Sequence, residues 1–332
     1  MFVQFEMVSE ALPGEKWQRF FDRAWPHYKP WFLSEGEDAR TDLATCEVLL
    51  AKHMPELIPI YKRVCDLAGN DELASRFLSM VNPPAYMAGC SQLAWTGGEP
   101  TLFRNYDFNP RLFEGVILRS EWLRPVIGVS EGMWGLLDGM NADGLAACLS
   151  FGGRKVSGKG IGIPLIVRYI LETCATVLEA CKRLQKLPVH MAYSVTLLDA
   201  KKSFATVHLS PDRDPVVVKD ATCTNHQLGV EWEEYASITQ SFERKNHLEK
   251  LLKVPNASSK SIVREFLQPP LYLTQYDRSI GTLYTAAYHT RNGVVNYYWP
   301  SHSITLAFDQ FKEEMVSVEV LPSDEYASDD VH

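Results

Sequence analysis

Apolar residues along the first eighty positions recur at helical spacing. Glu15 to Phe32 is rich in aromatics, and Leu43, Cys46, Leu50, Met54, Leu57 and Tyr61 follow at intervals of three or four, which predicts amphipathic helices. Pro55 and Pro59 interrupt or restart that pattern. Gly69 reads as a helix stop, and Asn70-Asp71-Glu72 as a cap with an acidic first turn. Asn82-Pro83-Pro84 then ends the helical region. From Cys90 onward the texture changes to short runs such as Val116-Ile117-Leu118, Tyr193 to Leu198 and Phe204 to His208, which predict strands. Between them, Ile166, Ile170, Cys174, Val177, Cys181 and Leu184 keep one seam, widened by Val167, Leu171 and Leu178. That seam predicts one long helix lying on a sheet. Leu283 to Thr290 and Val294 to Trp299 flank Asn292-Gly293, a hairpin signal because both turn residues tolerate positive φ. Ser303 to Phe308 and Met315 to Leu321 are further strand candidates, and the acidic tail from Ser323 to His332 reads as frayed. Strands around a helical interlude point to an α+β fold rather than a doubly wound sheet.

The chain of 332 residues is long enough for a sizeable core, and its formal net charge of -8 argues against a nucleic-acid partner. The N-terminal stretch shows no secretory pattern and no apolar run reaches membrane-spanning length, so the expectation is a cytoplasmic protein with no membrane partner. Seven cysteines are scattered without CxxC pairs or Cys/His clusters. The expectation is therefore reduced thiols and no zinc site.

The change of texture falls at Gly89-Cys90, which Arg104, Asn105 and Asp107 follow. A cysteine preceded by glycine is placed to attack its own upstream carbonyl, which no side chain shields. Cleavage there would make Cys90 an N-terminus whose α-amino group titrates at roughly 7.7–8.0 in a model peptide, near enough to neutral to serve as base for its own thiol. Five motifs then occur in order: Gly89-Cys90-Ser91, Arg104-Asn105-Tyr106-Asp107, Asp138 to Ala146, Thr224-Asn225-His226 and Ser241-Phe242-Glu243-Arg244. With them the chain resembles the N-terminal-nucleophile hydrolases of the acyl-coenzyme A:6-aminopenicillanate acyltransferase family, related to choloylglycine hydrolases and penicillin V acylases. The stretch from Met54 to Gly69 resembles that group's pro-segment.

The resemblance implies a four-layer αββα sandwich over residues 90–332, preceded by a helical pro-segment over residues 1–89. It also implies autocatalytic cleavage between Gly89 and Cys90, with the two fragments free to remain together as a heterodimer; a homo-oligomer is open as well. Cys90 would be the nucleophile, Asp107 would hold its α-amino group, and Arg104 would polarise the thiol. Asn225 would donate its side-chain amide to the oxyanion, Asn141 a main-chain N–H, and Arg244 would complete the charged surround. The expected reaction is hydrolysis of a linear amide of an N-acyl substrate through a thioester, with no metal or organic cofactor, and with acyl transfer to an amine, from an amide or an acyl-coenzyme A, as the alternative.

Ordinary readings compete at each position. Arg104 and Asp107 lie three apart on a strand and could form a surface ion pair. Asn141 stands beside the turn residues Ala142-Asp143-Gly144, Asn225 follows the apolar run Pro215 to Val218, and Arg244 falls on the expected helix from Ile238 to Leu252. Gly128-Val129-Ser130-Glu131-Gly132 also fits a serine-esterase nucleophile elbow using Ser130, although Gly132, Gly135 and Gly139 disfavour the helix an elbow must feed. A binding module that has lost activity is the third alternative. Trp95, Tyr106, Phe108, Trp134 and Phe151 are the aromatic candidates for an acyl pocket.

Overall fold

The computed structural model describes residues 1–276 and 280–320. The chain begins with a strand, β1 (Phe2–Ser9), before the helices α1 (Glu15–Phe32), α2 (Leu43–His53), α3 (Ile58–Leu67) and α4 (Glu72–Leu78). Six strands follow: β2 (Gly89–Trp95), β3 (Thr101–Phe108), β4 (Val116–Glu121), β5 (Pro125–Glu131), β6 (Gly135–Asn141) and β7 (Ala146–Phe151). Next come α5 (Ile163–Thr173), α6 (Val177–Leu184), and the strands β8 (Tyr193–Leu198), β9 (Phe204–Ser210), β10 (Arg213–Val218) and β11 (Thr222–Cys223). Helices α7 (Glu233–Ile238), α8 (Ser241–Leu251) and α9 (Ser259–Phe266) lead to β12 (Thr274–Gln275), β13 (Ile280–His289), β14 (Val294–Trp299), β15 (His302–Ala307) and β16 (Met315–Glu319). The tail from Ser323 to His332 lies outside the described residues.

The strands make two sheets. One runs β10-β9-β8-β7-β6-β5-β4-β1-β16, the other β11-β2-β3-β13-β14-β15 with β12 paired to β13. Helix α5 packs on β6 and β7, and α6 on β9; α8 packs on β2 and β11, and α9 on β3, while β2 and β3 meet β7 and β8 face to face. The molecule is therefore an αββα sandwich, with the start of β2 buried between its sheets.

Three expectations need correction. The residues before Gly89 are not wholly helical: Val3, Phe5 and Met7 are buried, and β1 runs parallel to β4 and antiparallel to β16. The seam from Ile166 to Leu184 is two helices, not one. Asn141 Nδ2 donates to Leu171 O (2.8 Å) and Cys174 O (2.7 Å), stopping α5, and Thr176 caps α6 by accepting from Glu179 N (3.3 Å). Leu178 points to solvent, 65 % exposed. The expected helix from Ile238 to Leu252 is broken at Gln240, whose φ of 49° separates α7 from α8. The Asn292-Gly293 hairpin forms with Gly293 at φ 67°.

Candidate active site

Strands β2 and β3 pair antiparallel with Gly89 opposite Asp107, Cys90 opposite Tyr106, Ser91 opposite Asn105 and Gln92 opposite Arg104. Directly opposed residues share a face and neighbours alternate. Cys90, Gln92, Arg104 and Tyr106 thus lie on one face, and Gly89, Ser91, Asn105 and Asp107 on the other. On the first face Arg104 Nη2 donates to Cys90 Sγ at 3.2 Å, and Nη1 donates to Asp138 Oδ2 of β6 at 2.5 Å. On the second face lies Arg244 of α8, which donates to the Cys90 carbonyl, to Ser91 Oγ (3.0 Å), to Asp107 Oδ2 (3.4 Å) and, through Nη2, to Asn225 Oδ1 (2.7 Å). Arg104 addresses the thiol, while Arg244 addresses the Cys90 carbonyl and pairs with Asp107, which stands opposite Gly89.

Asn225 spans the Gly89-Cys90 junction. Its Oδ1 accepts from Cys90 N (2.9 Å), and its Nδ2 donates to Ala88 O (2.9 Å) and Phe151 O (3.3 Å). Ser241 Oγ accepts from Asn225 N at 2.9 Å, fixing the loop that carries it. Asp107 Oδ1 accepts from Thr282 Oγ1 at 2.7 Å. His226 contacts Ser241 Oγ through Nδ1 at 2.8 Å, a supporting position.

Cys90, Arg104, Asp107, Asn225 and Arg244 are all fully buried. Burial pushes the Cys90 thiol up to about 11; Arg104 and Arg244 oppose that rise and Asp107 adds to it. Burial also raises the Asp107 carboxyl, against Arg244, the Thr282 hydrogen bond and Arg104. For Arg104, burial disfavours the charge, but Cys90 and Asp138 outweigh it and hold the guanidinium well above its ordinary range. A thiol so raised is protonated at neutral pH and needs a base to react.

Asn141 does not join this group. Its N–H donates to Leu145 O (3.0 Å) and its Oδ1 accepts from Leu145 N (3.0 Å), while its Nδ2 holds the end of α5. Both the main-chain donor and the side chain are committed to the turn and the helix, so the expected oxyanion duty is withdrawn. Ser130 is corrected too: it lies in β5, and Gly132 leads through a tight turn into β6. An elbow requires strand, turn and helix.

Of the aromatic candidates, Phe108 borders a cleft of about 390 Å³ that Tyr28, Trp31, Tyr86 and Phe113 also line. Tyr106 touches that cleft's wall through a hydroxyl contact with Tyr86. Trp134 donates to Leu78 O and packs on Trp122, and Trp95 belongs to the separate core with Phe266. Sequence reasoning gave no role to Asp138, Thr282 or Tyr284. Asp138 stood inside a quoted motif, but only the packing of the two sheets reveals its partner. Among the described residues no group of three or more His, Cys, Asp or Glu side chains is arranged to hold a metal ion, and no helix is long and apolar enough to cross a membrane.

No curated protein matches the chain by sequence. Among solved structures, a conjugated bile acid hydrolase mutant from Clostridium perfringens is 12 % identical, with TM-score 0.45 over 71 % of this chain and 98 % of that one. Penicillin V acylase from Agrobacterium tumefaciens is 16 % identical, with TM-score 0.39 over 69 % and 82 %. An N-acylethanolamine-hydrolyzing acid amidase ortholog from Caenorhabditis elegans is 14 % identical, with TM-score 0.47 over 70 % and 100 %. The sequence profile of one family matches residues 95–303, well over half of the chain, beginning just past Cys90 and taking in Arg104, Asp107, Asn225 and Arg244. The chain thus belongs to the acyl-coenzyme A:6-aminopenicillanic acid acyl-transferase family, and is an enzyme of the N-terminal-nucleophile class.

Proposed function

We propose that the protein is a cysteine amidohydrolase that matures by cutting its own Gly89-Cys90 bond and then cleaves a linear amide through a Cys90 thioester. The observation that carries this reading is the Arg104 Nη2 to Cys90 Sγ contact at 3.2 Å, with Asn225 and Arg244 hydrogen-bonded to the backbone of the same residue and Asp107 paired with Arg244. In maturation, Sγ attacks the Gly89 carbonyl carbon and the peptide C–N bond breaks as the thiol proton passes to the departing nitrogen, leaving a thioester and a free Cys90 amine. Water hydrolyses that thioester to the Gly89 carboxylate and the thiol.

In turnover, the α-amino group removes the thiol proton and Sγ attacks the acyl carbonyl. The substrate C–N bond breaks as the departing amine takes the proton back. The amine then activates water to release the acid. Asn225 Nδ2, which holds Ala88 O in the continuous chain, becomes free to donate to the oxyanion once residues 83–89 have moved away; losing one such donor costs roughly 10²–10³ in rate. Asp107, pressed against Gly89, would hold the new ammonium. Phe108, Tyr106 and the neighbouring aromatic cleft suit an apolar acyl group.

The family match favours a second outcome, in which an amine in place of water accepts the acyl group. Intact mass spectrometry tests the main reading. Wild type should show two fragments meeting between Gly89 and Cys90, and an acyl adduct on Cys90 with amide substrates; Cys90→Ala should give one uncut, inactive chain. Uncut wild type that still turns over amides sinks the amine-base mechanism. The ratio of acid to acyl-amine product with an added amine separates hydrolase from transferase.

A further inference from the structure

We propose that Asp138 is a positioning residue for the Cys90 thiol, acting across the space between the two sheets by holding Arg104 against Sγ; this rests on the reading of Cys90 as nucleophile. Arg104 reaches the thiol from β3, but the hydrogen bonds of its Nη1 go to β6 rather than to its own strand. The fixing point lies in the opposite sheet. Asp138, at the middle of β6, is fully buried and accepts from Arg104 Nη1 at 2.5 Å and from Tyr284 Oη at 2.6 Å on Oδ2, while Tyr288 donates to Oδ1. Arg104 Nη1 also donates to the neighbouring Leu137 carbonyl. With Nη1 committed to β6, the plane of the guanidinium is set and Nη2 is the donor that meets Sγ, because the donors are fixed relative to one another.

The arrangement is more than charge balance. The Tyr106 ring lies under the guanidinium at 4.9 Å, and Tyr284 and Tyr288 come from β13, on the far side of β3 from β2. They brace the carboxylate so that it cannot follow Arg104 if the latter turns. A buried ion pair with one partner removed leaves an uncompensated charge, which moves toward whatever screens it. Asp138 therefore controls where Arg104 sits, and Arg104 controls the thiol.

The sign of one measurement separates positioning from mere proximity. If Asp138 acted only as a nearby negative charge, Asp138→Asn would leave Arg104 in place and make the thiolate easier to form. If Asp138 positions Arg104, its loss lets the guanidinium leave Sγ and the thiolate becomes harder to form. The experiment is the pH dependence of iodoacetamide alkylation of Cys90 in the mature protein, resolved by peptide mass spectrometry, with amide turnover measured in parallel.

Asp138→Asn is expected to move the alkylation profile to higher pH and to lower kcat about 10- to 100-fold, by analogy with the loss seen when the hydrogen-bonded partner of a metal-ligating side chain is removed, with KM changed less than twofold. A shift to lower pH, or none with the protein folded, overturns the proposal. Tyr284→Phe, which removes one brace and keeps the ion pair, is expected to move the profile the same way by a smaller amount, and covers the case in which Asp138→Asn does not fold; no shift there counts against the proposal. Cys90→Ala, if still active, overturns the nucleophile itself and is read separately.

Discussion

Glycine is needed before Cys90 for a reason that lies across the strand pair. The sequence suggested an unshielded carbonyl; the structure adds that a Cβ at Gly89 would come within 2.8 Å of Asp107 Cβ and 3.1 Å of its Oδ2. Both atoms sit on a paired strand that cannot easily retreat. Gly89→Ala should push Asp107 away from the junction and slow processing on the order of 10²-fold, the cost of about 1 Å of misplacement at a reacting centre. Fragment appearance followed by mass spectrometry reads this directly, and cleavage at the wild-type rate would show that Asp107's closeness is incidental. Cys90, Arg104 and Asp107 stood out in the sequence through the motifs that carry the family resemblance, but the register that sets their faces came only with the structure. Asn141 was misjudged for a related reason. Its turn was readable, but whether its N–H was free depended on Leu145, Leu171 and Cys174 meeting in space.

At the scale of elements, helical and strand periodicity located most of the chain, including α1 and β8 at their full extents. β1 carried a readable signal, Val3, Phe5 and Met7 alternating with polar neighbours, which the helical pattern after it obscured. The break between α5 and α6 was legible only in part: Thr176-Val177-Leu178-Glu179 has the spacing of a helix start, but what stops α5 is Asn141, reaching from β6. Helix α1 is fastened to the catalytic sheets by an acidic pair. Tyr28 Oη donates toward Glu114 Oε1 (2.5 Å) and lies 2.9 Å from Glu131 Oε1. One hydroxyl proton cannot serve both carboxylates.

Burial, together with the charge of Glu114, raises Glu131 well above its ordinary 4.5, and burial raises Glu114 as well. An acid raised in the folded state adds stability that is full below the unfolded value and fades as pH climbs through the folded one. Unfolding midpoints in urea should therefore fall from pH 4.5 upward, and Glu131→Gln should flatten that fall. Arg23, His27 and Arg111 border the same cleft at its rim, so the difference between wild type and Glu131→Gln isolates the pair. An unchanged slope in the variant would remove Glu131 from this role.

For the whole molecule, the residues before Cys90 are part of the architecture. β1 is an interior strand of its sheet, Trp17 Nε1 donates to Met133 O (3.0 Å), and Trp134 Nε1 donates to Leu78 O (2.8 Å). A cut at Gly89-Cys90 would sever one bond and leave this packing in place. β1 also lies against β16, with Phe2 opposite Glu319 and the Met1 amine donating to Val320 O at 2.8 Å, so the first described residue and the last nearly meet. The chain could accordingly be rewired into a circular permutant: begin at Cys90, run to Val320, and continue through a short linker into residues 1–89. Chain positions this close commonly tolerate being joined. After loss of the initiator methionine, that chain would be made with Cys90 already first. It should hydrolyse amides without any maturation delay, and should do so even when residue 89 is changed.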